Sequence, residues 1–197
     1  MLRLAIDIDN TVYNTDRCES DIYDLVRAKY PRNDKESFLA SIKYEDEIRN
    51  KTETWFNPDY LIPEAIRVLQ SLSSKAELYI CTARHVSDLG HYTRLFKDTG
   101  LNFECIIQGY DYPNKASACL QNNIHVLVDD DSTNLMYHYR LCDVNECYKT
   151  HFIYYTGHTT QDTELTRNKR HERHADTVTV MSSWGNFDNI VHSLNLI

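Results

Sequence analysis

Two carboxylates, an amide and a hydroxyl follow directly after a short hydrophobic run near the start of the chain. The stretch reads Leu4-Ala5-Ile6-Asp7-Ile8-Asp9-Asn10-Thr11. Because side chains alternate along a strand, Asp7 and Asp9 should point one way while Ile8 turns towards the core. Two carboxylates this close repel each other, and a bound cation or a proton on one of them would relieve the repulsion. The stretch predicts either an acidic ligand site or simply a strand that ends in a polar turn.

Functional side chains also follow the later predicted strands. In chain order the groups are Asp7 and Asp9, then Thr82, Lys115, and the run from Asp129 to Asp131. A hydrophobic strand that stops at a Thr, or a lone Lys at the start of a helix, is structural far more often than catalytic. Because the carboxyl ends of parallel strands meet at one edge of a sheet, groups far apart in the sequence can share one pocket there.

The elements that must position these groups are visible as patterns of hydrophobic spacing. Strands are predicted at 2–8, 76–81, 103–108, 124–128, 151–155 and 177–181, and helices at 21–30, 35–49, 63–72, 87–99, 115–122 and 184–194. Pro63 suits the first turn of its helix, and Gly100 suits the end of the helix that precedes it. The alternation of strand and helix predicts an α/β fold, a three-layer, doubly wound parallel sheet with right-handed crossovers.

Length, composition and charge limit the class of protein. The 197 residues suffice for one well-buried core with a small insertion. No apolar stretch approaches the roughly 20 residues that span a bilayer, and no signal-peptide pattern is present, so we expect a cytoplasmic protein without membrane contact. The net charge of −8 opposes binding to long nucleic acids, whereas a small phosphorylated substrate needs only local cations. A homodimer is compatible with the sequence.

The six cysteines form no C-x-x-C pair. Several of them lie in apolar segments, where a free thiol packs as a small hydrophobic residue. A disulfide framework or a zinc site is therefore not expected.

A polar segment at 156–176 contains a cluster of basic and histidine residues. They are Arg167, Lys169, Arg170, His171, Arg173 and His174. We interpret the segment as a solvated loop or flap, and the alternative is a patch that binds phosphate or nucleic acid. The pair of histidines alone is a weak pattern for a metal site.

Residues 15–58 are predicted to form a small helical cap, inserted into an α/β core made of 1–14 and 59–197. A cap can close over a pocket, exclude water and contact the leaving group. Trp55 and Phe56 could stack on a nucleobase, since every base offers a face to an aromatic ring. The alternative is that both rings only pack the cap onto the core.

The order of these groups resembles the four motifs of the haloacid dehalogenase (HAD) superfamily. Those motifs are Asp-x-Asp-x-Thr after the first strand, a Thr or Ser after the second, a Lys, and a terminal acidic pair. Here they read Asp7-Ile8-Asp9-Asn10-Thr11, Ile80-Cys81-Thr82-Ala83-Arg84, Lys115, and Val126-Leu127-Val128-Asp129-Asp130. Dehalogenases of the superfamily lack an acid at the place of Asp9, whereas its phosphatases have one, so the resemblance favours phosphate chemistry.

Within the superfamily the chain resembles the 5'(3')-deoxyribonucleotidase group. The resemblance lies in the modest insertion, the segment Tyr60-Leu61-Ile62-Pro63-Glu64-Ala65 and the pair Ser183-Trp184. The long segment 156–176 and Asp131, a third consecutive acid, depart from that pattern. The departures leave the identity of the substrate open.

The resemblance implies a phosphomonoesterase that works through an aspartyl-phosphate intermediate. Asp7 would be the nucleophile, and Thr82 and Lys115 would bind the phosphoryl oxygens. Asp9 would act as general acid and then base, a double role for which neighbouring carboxylates should raise its pKa. The implied substrate-binding candidates are Thr11, Trp55, Phe56, Ala83 and Arg84.

The same resemblance implies that Mg2+ is the cofactor. Asp7 and the backbone carbonyl of Asp9 would bind it, together with the acidic pair, in which we place Asp130 before Asp129 as the direct ligand. Asp131 would substitute if the strand ended one residue later.

The substrate predicted in this way is a nucleoside monophosphate, and the protein would be a 5'-nucleotidase. One alternative is a related phosphatase that acts on a sugar phosphate or, as the basic segment suggests, on a polynucleotide end. The other alternative is a non-catalytic phosphate-binding protein of the same fold, which would have no need of Asp9.

Overall fold

The computed structural model describes residues 1–31, 34–49, 56–107, 111–157 and 173–196. Trp55 lies outside the described residues, and so do four members of the polar cluster, namely Arg167, Lys169, Arg170 and His171.

Within the described residues, six parallel strands form one sheet in the order β3-β2-β1-β4-β5-β6. They are β1 (Leu2–Ile6), β2 (Ala76–Thr82), β3 (Glu104–Ile107), β4 (Val126–Asp129), β5 (His151–Tyr155) and β6 (Val178–Met181). The central strand β1 places Ile6 beside Ile80 of β2 and Val128 of β4. Helices lie in the connections between the first five strands along the chain, as parallel crossovers require. The predicted α/β class and doubly wound parallel sheet are confirmed.

Seven α-helices and two short 3-10 turns accompany the sheet in the part of the chain that is described. The helices are α1 (Thr15–Lys29), α2 (Lys35–Arg49), α3 (Pro63–Leu72), α4 (Val86–Asp98), α5 (Lys115–Gln121), α6 (Ser132–Val144) and α7 (Phe187–Ser193). The 3-10 turns are Pro58–Tyr60 and Trp184–Asn186. No helix there is both long enough and apolar enough to cross a membrane.

Most predicted elements occur, with differences at their ends. Strand β5 and helices α2 and α3 have the predicted bounds, and Gly100 adopts a left-handed φ of 81° after α4. Helix α1 begins at Thr15 rather than at residue 21, because the Asn14 side chain caps it by accepting a hydrogen bond from the Arg17 backbone N–H. Strand β1 ends at Ile6 rather than at residue 8.

Helix α6 is not predicted by the hydrophobic pattern. The side chain of Asp131 caps it by accepting a hydrogen bond from the backbone N–H of Thr133. Asp131 is therefore engaged in starting a helix, which explains the third acid in the run. The strand ends at Asp129, one residue later than predicted, but among the described residues the group of possible metal ligands consists of Asp7, Asp129 and Asp130 and does not include Asp131.

Alternating side chains of the sheet divide the core into two buried clusters, one on each face. Leu4 and Ile6 of β1 join the first cluster, and Ala5 joins the second. Helices α1 and α2 bury Ile22 and Ile48 in the first cluster, so the inserted helices share the core of the sheet. The division of the chain at residues 14 and 59 stays a prediction. All six cysteines are free thiols in the structure.

Trp184 ties the C-terminal part of the chain to the turn that follows β1. Its ring is fully buried, and its indole N–H donates a hydrogen bond of 2.8 Å to the carbonyl oxygen of Thr11. We expect Trp184→Phe to lower the free energy of unfolding by about 2–3 kcal/mol, because it leaves that carbonyl unpaired and opens a cavity. Urea unfolding measures the change. Val180→Ala, at a residue that is 43% exposed, is the control, and equal losses in both variants would contradict this role of Trp184.

Candidate active site

A tight turn after β1 fixes the two carboxylates of the first motif at the edge of the sheet. The Asp7 backbone N–H donates to the carbonyl of Val128 in β4 at 2.9 Å, which holds the end of β1 against its neighbour. The carbonyl of Ile8 accepts hydrogen bonds from the backbone N–H groups of Val12 and Tyr13, and Ile8 itself is fully buried. Asn10 adopts a left-handed φ of 52°, a conformation that asparagine tolerates better than most residues.

Lys115 is buried between two carboxylates. It is the first residue of α5, whose start is capped by the side chain of Asn114, and it is only 3% exposed. Its Nζ lies 2.7 Å from Oδ1 of Asp7 and 2.8 Å from Oδ2 of Asp129. The predicted meeting of these strand-end groups at one edge is confirmed in space, because β1 and β4 are neighbours in the sheet.

The acidic pair divides into one carboxylate that is fully engaged and one that faces the cleft. Asp129 is completely buried, and besides Lys115 it accepts hydrogen bonds from the Asp131 backbone N–H at 2.8 Å and from Nδ2 of Asn134 at 3.1 Å. Asp130 is partly exposed and accepts a long hydrogen bond of 3.4 Å from the Thr11 hydroxyl. This arrangement favours Asp130 over Asp129 as a direct metal ligand.

Three carboxylates form the group of potential metal ligands found among the described residues. Ligand oxygens of Asp7, Asp129 and Asp130 all lie within 4.8 Å of one another. When all three are ionised, they and Lys115 together carry a net charge of −2, which a divalent cation would balance. Hard cations such as Mg2+ prefer oxygen donors, so the donor set fits that ion.

The pKa values of the cluster reflect burial and crowded charge. Burial raises the pKa of Asp7 well above its usual value, and the nearby carboxylates of Asp129 and Asp9 add to the rise, although Lys115 opposes it. Burial and the charge of Asp129 likewise raise the pKa of Asp130 to about 7. Burial alone would lower the pKa of Lys115, but Asp129 and Asp7 raise it, so the ammonium stays charged.

Asp9 differs from the expectation drawn from the sequence. Nε of Arg84 donates to Oδ2 of Asp9 at 2.9 Å, a second N–H of Arg84 donates to Oδ1, and the Thr15 hydroxyl donates to Oδ1 at 2.5 Å. Burial would raise the pKa of Asp9, but these hydrogen bonds and the charge of Arg84 lower it below the usual value. The predicted rise of its pKa is therefore wrong for this structure, because an arginine rather than a carboxylate is the dominant neighbour.

A cleft of about 450 Å³ joins the motifs, and Asp7, Asp9, Ala83, Lys115 and Asp130 are among the residues that line it. Thr82 and Thr11 are both fully buried. The Thr82 hydroxyl oxygen accepts a hydrogen bond from the Arg84 backbone N–H at 3.1 Å, and the Thr11 hydroxyl holds Asp130.

The aromatic residue Phe56 and the basic residues Arg173 and His174 are not among the residues that line this cleft. Phe56 stacks on His91 at a centroid distance of 4.7 Å and meets the edge of Tyr92 at 4.8 Å, which favours packing over base stacking. Among the basic residues that the structure describes, Arg173 and His174 bind Asp143 of α6 at 3.2 and 2.8 Å.

Two functional neighbours are not predicted from the sequence. Asn134 orients Asp129, and Thr15 holds Asp9. Asn134 follows Asp130 by about one helical turn. This spacing predicts that Asn134 lies near the acidic pair only if α6 has been recognised as a helix. Thr15 is the first residue of α1, and its contact with the first motif depends on the turn geometry.

No protein-family model and no curated protein sequence matches this chain. Solved structures do match in fold. A HAD-superfamily hydrolase of subfamily IA from Geobacter sulfurreducens PCA has a TM-score of 0.62 at 11% identity, over 97% of this chain and 96% of that one. A candidate β-phosphoglucomutase from Thermotoga maritima has a TM-score of 0.61 at 12% identity, over 98% and 99%. A candidate HAD hydrolase from Bacillus subtilis bound to magnesium has 0.57 at 14%, over 98% of both chains. The likeness shows that the chain has the fold of HAD-superfamily hydrolases.

The raised pKa of Asp130 predicts a pH-dependent stability of the metal-free protein. An unfolded aspartate titrates near pH 4, whereas the folded state retains the proton of Asp130 up to about pH 7. The folded state binds more protons between these values, so the contribution of Asp130 to stability is lost as the pH rises through them. In EDTA, we expect the free energy of unfolding of the wild type to fall relative to that of Asp130→Asn from about pH 4 to about pH 7.

Urea unfolding at several pH values measures this difference. The exposed Asp188→Asn serves as the control for replacing an aspartate. If the free energy of unfolding of the wild type minus that of Asp130→Asn stays constant or rises between about pH 4 and about pH 7, the raised pKa of Asp130 is contradicted.

Proposed function

We propose that the protein is a Mg2+-dependent phosphomonoesterase of the HAD superfamily. The observation that carries the proposal is the buried Lys115, held between Asp7 and Asp129 at the carboxyl edge of a parallel sheet with the HAD fold. A fixed cation beside a nucleophile is what phosphoryl transfer needs, because its transition state spreads negative charge over the phosphoryl oxygens.

Asp7 is the proposed nucleophile. Its carboxylate oxygen attacks phosphorus, the bond from phosphorus to the leaving oxygen breaks, and an aspartyl-phosphate forms while the alcohol departs. Water then attacks the phosphorus of the intermediate, inorganic phosphate leaves, and the carboxylate of Asp7 is restored. The ion pair with Lys115 favours the ionised, nucleophilic form of Asp7.

Asp7, Asp130 and the backbone carbonyl of Asp9 are the proposed ligands of Mg2+. When bound there, the ion supplies positive charge that screens the repulsion between the carboxylate and the phosphoryl group. Asp129 has a positioning role, since its hydrogen bonds go to Lys115 and to the start of α6.

Asp9 is the proposed donor of a proton to the leaving alkoxide oxygen, and it then accepts a proton from the water that attacks the intermediate. As the structure stands, Arg84 holds its carboxylate in the ionised form. Phosphoryl oxygens accept hydrogen bonds from guanidinium as carboxylates do, so a bound substrate competes with Asp9 for Arg84. Substrate binding would thereby release Asp9 to carry a proton and would place Arg84 on the phosphate, where the sequence predicts it.

The proposed substrate is a nucleoside monophosphate, which makes the protein a 5'-nucleotidase. This rests on the resemblance of the motifs and insertion to the deoxyribonucleotidase group. A polynucleotide end is the second candidate, because Arg173 and His174 lie at the C-terminal part of α6, whose first turn lines the cleft.

Phosphate release tests the proposal. The panel consists of 5' and 3' deoxy- and ribonucleotides, sugar phosphates, a DNA end and a short alkyl phosphate, each with Mg2+ and with EDTA. We expect metal-dependent turnover that favours nucleotides and a loss of several orders of magnitude in Asp7→Asn, because the covalent nucleophile is removed.

Asp188→Asn, on the surface of α7, controls for the same chemical change at an exposed position. Substantial turnover by a pure Asp7→Asn sample would overturn the mechanism, and turnover of sugar phosphates alone would overturn the nucleotidase assignment.

A further inference from the structure

We infer that the face of α6 beside the cleft binds the nucleobase of the substrate, with Tyr137 and Arg140 as the specificity-determining residues. The inference rests on the proposed phosphomonoesterase activity and deepens it, since it says where the leaving group lies. It replaces the aromatic pair that the sequence suggests, of which Phe56 is packed against His91 and Tyr92.

Three neighbouring hollows that share lining residues, together called the groove, extend from the carboxylates along α6. The cleft that contains Asp7 is also lined by Thr133 and Tyr137 of α6. A second hollow of about 270 Å³ is lined by Thr133, Tyr137 and Arg140. A third hollow of about 450 Å³ is lined by Asn114, Tyr137 and Arg140. Because all three share Tyr137, a molecule whose phosphate lies in the first hollow extends naturally past this ring.

The chemistry of the groove suits a flat, polar ring system. The guanidinium carbon of Arg140 lies 5.5 Å from the centroid of the Tyr137 ring. The tyrosine is partly exposed and the arginine is exposed. Nucleobases stack both on aromatic rings and on guanidinium planes, so the pair offers two adjoining stacking surfaces. Asn114 and Thr133 supply polar groups at the sides of the groove.

The spacing along α6 agrees with one nucleoside. Thr133 lies at the proposed catalytic cleft. An α-helix rises 1.5 Å per residue, so along the helix axis Tyr137 is about 6 Å from Thr133 and Arg140 is roughly 10 Å from Thr133. A sugar and a base attached to a phosphate in the cleft reach over this span.

The charge at the far end of the groove does not oppose an anionic substrate. Asp143 lines the third hollow, but its carboxylate is paired with Arg173 at 3.2 Å and with His174 at 2.8 Å. Arg140 adds a positive charge, so the groove is more favourable to nucleotides than the overall acidity of the chain suggests.

Substitutions of the ring and the guanidinium test the inference. The readout is kcat/KM for a deoxynucleoside monophosphate divided by that for a short alkyl phosphate, which has no base to stack. We expect this ratio to fall about tenfold in Tyr137→Leu, in line with the usual contribution of a stacked base. Tyr137→Phe keeps the ring and should retain the ratio, whereas Arg140→Ala should lower it. Arg67→Ala, on the exposed face of α3, is the control and should leave the ratio unchanged.

An unchanged ratio in Tyr137→Leu would overturn the inference while leaving the phosphomonoesterase activity established. If the wild type releases no phosphate at all, calorimetric titration with a deoxynucleoside monophosphate in Mg2+ still tests the groove. Binding that weakens in Tyr137→Leu but not in Tyr137→Phe supports it without catalysis. Absence of binding, or binding that all the variants retain equally, overturns it.

Discussion

The structure around the first motif depends on the burial of one cation between two carboxylates. Lys115 is almost completely inaccessible and touches both Asp7 and Asp129. Removing one member of such a buried group leaves uncompensated charge in a medium of low dielectric, at a cost of several kcal/mol. The adjacent strands, the start of α5 and the amide of Asn134 must all be in place for the charges to be buried together. The acidic excess that remains is the basis of the proposed divalent-cation site.

The sequence is informative where local pattern decides structure. Hydrophobic runs that end in polar residues predict the strand ends, and parallel topology then requires Asp7 and Asp129 to lie at the same edge. Pro63 and Gly100 fix helix ends through their own backbone preferences, and both occur where the sequence predicts them. The fold and the meeting of the charged motifs can therefore be predicted without any tertiary information.

The sequence is less informative where contacts between distant residues decide. Arg84 reaches Asp9 from the end of another strand, and its effect on the pKa of Asp9 has the opposite sign to that expected from neighbouring acids. The hydrophobic periodicity of helix α6 is weak in the sequence because two of its buried positions are occupied by the polar residues Asn134 and His138. The residues proposed to bind the leaving group lie on that helix. The surface that would recognise the substrate can therefore not be predicted from the local sequence pattern.

The proposed phosphate site is built by strand ends of a fold shared with HAD hydrolases, whereas the proposed leaving-group surface lies on α6. The central proposal is that Asp7 receives the phosphoryl group. The most direct test is to mix the enzyme with a nucleotide labelled in its phosphate, quench with acid within one turnover, and map the label by peptide mass spectrometry. The account predicts a phosphoryl group on the peptide that contains Asp7, absent in Asp7→Asn. Turnover that leaves no label on the protein, or label on another residue, would contradict it.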